Sequence, residues 1–203
     1  MTDIIIESVK KLERLLEHSG CEDVGVLLEV NPDVVTCQFE KGACMSAVFG
    51  GRSADFVTFD PIRARTKISF MFGAPLDTLQ VRGAACAIIN VATGFFCLSR
   101  VLHACPKSSH DSCTEQLKRE LTGKKVWCIG GITPIESDYR FMPAAGVDDA
   151  DIIVIGGEGI TSAGTGDLIE NSKKNKRIIC IGPSTAGIAR LNEIEHWCPF
   201  GKN

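Results

Sequence analysis

Asp151-Ile152-Ile153-Val154-Ile155-Gly156-Gly157-Glu158 is an apolar run of strand length that stops abruptly in two glycines and an acid. A strand with one face in water alternates apolar and polar residues, whereas one covered on both faces reads as a continuous β-branched run. Two further stretches repeat the pattern. Lys125-Val126-Trp127-Cys128-Ile129 is followed by Gly130, Gly131 and Thr133, and Arg177-Ile178-Ile179-Cys180-Ile181 is followed by Gly182, Pro183, Ser184 and Thr185. Polar and helical segments separate the three runs, as crossover connections require. The expectation is a small open parallel sheet of Rossmann type.

In such sheets ligands bind at the carboxyl ends of the strands, where backbone amides and helix N-termini converge. The candidate ligand-binding residues are therefore Gly131, Thr133, Glu158, Ser162, Thr165, Gly182, Pro183, Ser184 and Thr185. Glycines let a backbone approach a ligand, and the hydroxyls serve either as ligand contacts or as helix caps. Glu158 is either a solvated acid or a group able to bind a metal or move a proton.

Upstream, Ile5, Val9, Leu12, Leu15 and Leu16 fall at helical spacing and lead to Gly20, which suits a C-terminal cap. Residues 24–30 and 34–39 read as two strands of a hairpin around Asn31, Pro32 and Asp33. A glycine-punctuated stretch follows, with Gly42, Gly50 and Gly51, then an apolar segment at 55–59 and a basic loop with Arg63, Arg65 and Lys67. A buried helix is expected around 84–102, and Pro106 to Ser112 has the composition of a linker. The chain is thus expected to be α/β, with a smaller α+β domain at 1–105 and a Rossmann-like ligand-binding domain at 113–203.

The 22 basic and 25 acidic residues leave no broad positive surface for a nucleic-acid backbone. Charges at Asp3, Glu7, Lys10, Lys11, Glu13 and Arg14 exclude the uncharged core of a secretory signal, so a cytoplasmic location is expected. The apolar stretch 84–98 carries Asn90 and Gly94 and falls short of the roughly 20 residues that span a bilayer, so no membrane is expected. Its apolarity also suits a homodimer contact. The 10 cysteines lie in apolar patterns without a secretion signal and read as reduced thiols.

The glycines at 157, 159, 164 and 166 fail the nucleotide fingerprints. Ser162 stands where a dinucleotide motif wants its third glycine, and Thr165 where a phosphate loop needs lysine, so neither NAD nor ATP is supported. His103, Cys105, His110 and Cys113 offer imidazole and thiol donors to a transition metal, although their spacing also suits a thiol-bearing connector. His196 and Cys198 repeat the pairing near the C-terminus, beside Trp197 and Phe200. These six are the candidate metal residues. No serine, histidine and acid set stands out as a nucleophilic triad.

The segment 151–191, with Gly164-Thr165-Gly166-Asp167-Leu168 and Ile181-Gly182-Pro183-Ser184-Thr185, resembles the Rossmann-like heavy-metal chelation domain. In that family a smaller domain similar to the N-terminal domain of enolases comes first, and the resemblance implies a cleft lined by both. It also implies binding of a metal or metal chelate. The alternative expectation from the residues themselves is an enzyme for a small anionic substrate, with Glu158 as acid or base and the loop amides as anion holders.

Overall fold

The computed structural model describes residues 2–136 and 141–203. The first helix, α1 (Ile4–Leu16), starts where the Asp3 carboxylate accepts the N–H groups of Ile5 and Ile6 at 2.9 and 3.3 Å. Its inner stripe of Ile5, Val9, Leu12 and Leu16 is buried, and each such side chain contributes about 1.5–3 kcal/mol relative to exposure. Four strands then form an antiparallel sheet in the order β3-β2-β1-β4: β1 (Gly25–Val30), β2 (Ala43–Phe49), β3 (Arg52–Thr58) and β4 (Ala64–Lys67). Gly50 and Gly51 join β2 to β3 with φ of 56° and 78°. Two successive left-handed residues make the tight hairpin turn whose twist matches the strands.

The hairpin expected over 24–30 and 34–39 is not formed; β1 pairs instead with β2, Leu27 opposite Val48 and Val30 opposite Met45. Residues 34–39 leave the sheet so that Cys37 and Phe39, 5% and 3% exposed, can enter a core on the parallel-sheet side. Tertiary burial overrides local strand preference there. The basic segment read as a loop supplies β4.

Helix α2 (Leu79–Phe95) begins at Thr78, whose hydroxyl accepts the Val81 N–H, and ends seven residues before the expected stop at 102. The chain doubles back at Cys97 (φ 57°) and lays Leu102 on Gly94, where a Cβ would come within 2.5 Å of the leucine side chain. The α2 helix is buried along most of its length between the antiparallel sheet and a later helix. Its apolarity is thus accounted for within one chain. Among the described residues, no helix is long and apolar enough to cross a membrane.

The stretch read as a linker is a 3-10 turn, Lys107–Ser109, running directly into α3 (His110–Leu121). Then come β5 (Lys125–Ile129), α4 (Thr133–Glu136), β6 (Met142–Pro143), β7 (Ile152–Ile155), α5 (Gly157–Thr161), α6 (Thr165–Ser172), β8 (Arg177–Ile181), α7 (Ala186–Leu191) and β9 (Glu195–Trp197). The second sheet is parallel throughout, in the order β6-β5-β7-β8-β9, so the three runs read from the sequence lie side by side with their glycine ends together. The protein is a mixed α/β fold with one parallel and one antiparallel sheet.

The larger core joins the two sheets: Phe56 and Met45 of the antiparallel sheet, Ile88 and Ile89 of α2, and Ile153, Ile155 and Ile188 beyond them. Asn90 of α2, fully buried, ties the lobes. Its Nδ2 donates to the carbonyls of Asp55, Pro183 and Ser184, and its Oδ1 accepts the Gly187 N–H at 2.8 Å. A second core lies on the other face of the parallel sheet, beneath α3.

Candidate functional site

The strand ends meet the antiparallel lobe closely. Ser184 and Thr185 are fully buried, and their hydroxyls are spent on the backbone: Thr185 Oγ1 donates to the carbonyls of Ile181 and Gly182, and Ser184 Oγ accepts the Val57 N–H of β3 at 2.9 Å. Pro183 gives its carbonyl to Asn90. Thr165 Oγ1 donates to the Gly159 carbonyl and Ser162 Oγ to that of Glu158. These residues close helix ends and join the lobes. The side chain of Thr133, at the start of α4, lies outside the described residues.

Half-exposed Glu158, at the start of α5, and Gly131 remain at the mouth, with exposed Lys41 beside them. A Cβ on Gly131 would stand 3.9 Å from Glu158 Oε2. Burial raises the Glu158 carboxyl above its usual range and Lys41 partly offsets this.

Behind that mouth stands a residue the sequence did not single out. Glu40, at the end of the loop that leaves β1, is buried, and its Oε1 accepts the Ser184 N–H at 3.0 Å. Gly182 (φ 82°) makes room for it, since a Cβ there would sit 2.6 Å from Oε1. Its Oε2 is buried with no hydrogen-bond partner. Burial pushes the carboxyl up to about 7, against the stabilising Ser184 amide, and Asp55 adds to the rise. A buried acid poised near neutrality is a recurring mark of functional sites.

Thiols surround this carboxyl. Burial first, then Glu40 and the thiols of Cys198 and Cys113, push the Cys37 thiol far above its usual range. Burial lifts Cys198 to about 12, with Glu40, Cys113 and Cys105 adding to it, and Cys113 to about 11. Cys105 stands at the edge of the group, near Lys202. Among the described residues, two more buried polar atoms are without partners. His110 Nε2 belongs to the residue whose carbonyl accepts Gln38 Nε2 at 2.7 Å, next to Cys37, and Trp197 Nε1 neighbours the Cys113 sulfur without reaching hydrogen-bond geometry. Among the described residues, no three His, Cys, Asp or Glu side chains stand close enough, as placed, to hold a metal ion.

Of the six expected metal residues, Cys105, Cys113 and Cys198 gather here, and His110 stands one helical turn before Cys113. The other two are engaged elsewhere. His196 Nε2 donates to the Gly182 carbonyl at 2.9 Å, and burial lowers its pKa, leaving a neutral imidazole. His103 Nδ1 meets Asp55 Oδ2 at 2.9 Å, a bond that raises the imidazole above its ordinary value. A groove of about 660 Å³ lies at the opposite end of the molecule, between α1 and α6. Its lysines are already paired: Lys11 with Leu191 and Asn192, Lys173 with Glu170, Lys176 with the carbonyls of Asp148 and Ala150.

Two solved structures are similar to this arrangement of sheets. A protein of unknown function from the DUF364 family of Pyrococcus horikoshii matches with a TM-score of 0.50 and 15% identity, covering 89% of this chain and 79% of that one. The likeness is one of fold. A second DUF364 protein of unknown function, from Desulfitobacterium hafniense, matches with a TM-score of 0.48 and 14% identity over 91% of this chain and 82% of that one. No family model and no curated protein matches the chain in sequence.

Proposed function

We propose that the protein binds a thiophilic transition-metal ion, or a small chelate of one, between its two lobes behind the strand ends. One observation carries this reading. Among the described residues, two of the three buried polar atoms without partners, on Glu40 and Trp197, fall beside the thiols of Cys37, Cys113 and Cys198, and the third, on His110, belongs to the helical turn that leads to Cys113. Buried polar groups are ordinarily satisfied, and a cluster of exceptions calls for a missing ion or water. Thiol, imidazole and carboxyl together suit zinc, cobalt or copper.

Because no set is assembled as the side chains stand, binding draws Cys37, Cys113, Cys198 and Glu40 inward by rotation and displaces their protons. Affinity therefore rises with pH. The test is anaerobic titration of the purified protein with Co(II), following thiolate-to-cobalt absorption at pH 6 and pH 8. The expected result is one equivalent bound, more tightly at pH 8, with Cys37→Ser and Cys198→Ser each weakening binding by roughly tenfold or more, the scale of losing a metal-site group. Absence of stoichiometric binding, or affinity indifferent to both substitutions, overturns the reading.

A second reading, an enzyme acting on a small anionic substrate, is favoured by Glu158, a carboxyl with a raised pKa next to Lys41 at the open mouth. It predicts turnover abolished by Glu158→Gln while cobalt binding is unchanged.

A further inference from the structure

Beside this site, on the outward face of β3, lies a second group of side chains that metal binding does not use. Ser53 and Asp55 are two residues apart on β3 and so project from the same face of the sheet. His103, which follows the chain's return from α2, lies across them. Its Nδ1 is 2.9 Å from Asp55 Oδ2 and its Nε2 is 3.4 Å from Ser53 Oγ. We propose that Ser53, His103 and Asp55 form a proton relay that makes the Ser53 hydroxyl a nucleophile toward activated acyl compounds.

Each member is held for that role. Asp55 is 4% exposed, and its other oxygen accepts Ser46 Oγ of β2 at 2.8 Å, so the carboxyl cannot rotate away from the imidazole. The His103 backbone is fixed by the C-terminal tail, whose Lys202 accepts the His103 N–H and donates to the His103 carbonyl, both at 3.0 Å. The acid on Nδ1 places the ring proton there and leaves the Nε2 lone pair directed at the hydroxyl, the order a general base requires. Ser53 and His103 are half-exposed, which keeps the hydroxyl within reach of a small reagent.

In the reaction, Ser53 Oγ forms a bond to the acyl carbon as its proton passes to His103 Nε2. The bond to the leaving oxygen breaks, and that oxygen takes the proton from the imidazolium. Water then releases the acid by the same route in reverse, with His103 as base. General-base help of this kind contributes about 10²–10⁴-fold. At 3.4 Å the serine bond is long, so labelling of Ser53 by reactive acyl or phosphonyl reagents is the direct readout.

The test treats the full chain with a fluorophosphonate and with p-nitrophenyl acetate, and locates the adduct by peptide mass spectrometry. The expected adduct is on Ser53, forms at least tenfold more slowly in His103→Gln, and is absent in Ser53→Ala. Both substitutions are at half-exposed positions, and thermal melts verify that the variants are folded. Asp55→Asn is left as a third arm, because it also disturbs Ser46. If Ser53 is not labelled, or if His103→Gln lowers the melting temperature while leaving the labelling rate unchanged, the three residues are a structural tie and the proposal fails. Cobalt titration of Ser53→Ala keeps the two sites apart, since loss of labelling with metal binding intact is the expected pairing.

Discussion

A carboxyl with a folded-state pKa near 7, against an ordinary value of 4.5, favours the folded state only while it is protonated. Glu40 therefore supports the fold fully below about pH 4.5, and that support is lost as pH rises toward and through 7. The shift corresponds to an upper figure of about 3 kcal/mol. Glu40→Gln retains an oxygen for the Ser184 amide and removes the titration. The variant is expected to be more stable than the parent at pH 8 by up to about 3 kcal/mol, with the difference falling below about 1 kcal/mol near pH 5, as read from urea denaturation at both values. His103 and His196 titrate in both proteins, so they cancel in the comparison. Asn90 is the opposite kind of buried polar residue, since each of its amide atoms has a partner. Asn90→Ala strands the Gly187 N–H and removes the amide donor shared by the Asp55, Pro183 and Ser184 carbonyls, and should cost about 1–3 kcal/mol, measured as a lower urea midpoint with an unchanged slope. Glu40 was hidden in the sequence because nothing near Phe39-Glu40-Lys41 announces that an acid will be buried. Its burial comes from a partner 144 positions away.

At the level of elements, the close approach of α2 and α7 depends on Gly187, where a Cβ would meet Asn90 Oδ1 at 2.7 Å and its Cα at 3.0 Å. Gly123, just after α3, is also constrained, by φ of 71°, but nothing lies within 4 Å of a Cβ there. Gly187→Ala must push two helices apart and is expected to lose about 1–3 kcal/mol, the range for overpacking. Gly123→Ala meets only backbone strain and should lose about 1 kcal/mol; parallel thermal melts rank the two. The same contrast between local and distant causes decides what the sequence could reveal. The strands β5, β7 and β8 were legible because burial on both faces writes an unbroken run such as Ile152 to Ile155, and their alignment put the glycine ends where expected. The β2 strand, Ala-Cys-Met-Ser-Ala-Val-Phe, has only one β-branched residue and carries no such signature; its pairing is specified by Gly50-Gly51 and by the partner strands. The sequence expectation for the hydroxyls after β8 is a ligand contact at the strand end; both lie at that end, but are buried against backbone groups. Their engagement by β3 and α2 was invisible, because it depends on how the two lobes meet.

Across the whole molecule, the larger core makes no break between residues of the antiparallel and parallel sheets. Helix α1 follows the same logic: Lys11 reaches Leu191 and Asn192, and Asn192 returns a bond to Ser8. The C-terminal tail closes the ring by pairing Lys202 with His103. Such a chain should unfold as one unit even though its sheets are sequential in the sequence. Trp127 and Trp197 both lie on the parallel sheet, and Trp197 also packs on the core that holds Cys37 and Phe39, so tryptophan fluorescence reports that sheet and its boundary with the other lobe, while far-UV circular dichroism reports helices and strands of both. The two signals are expected to give coincident urea transitions. The isolated segment 1–105 should lack a cooperative transition altogether, because Ile88, Ile89 and Asn90 would lose the residues that cover them. If fluorescence and dichroism separate, or if that segment melts cooperatively alone, the lobes are independent folding units, and the buried site between them could not hold Glu40 in its shifted state.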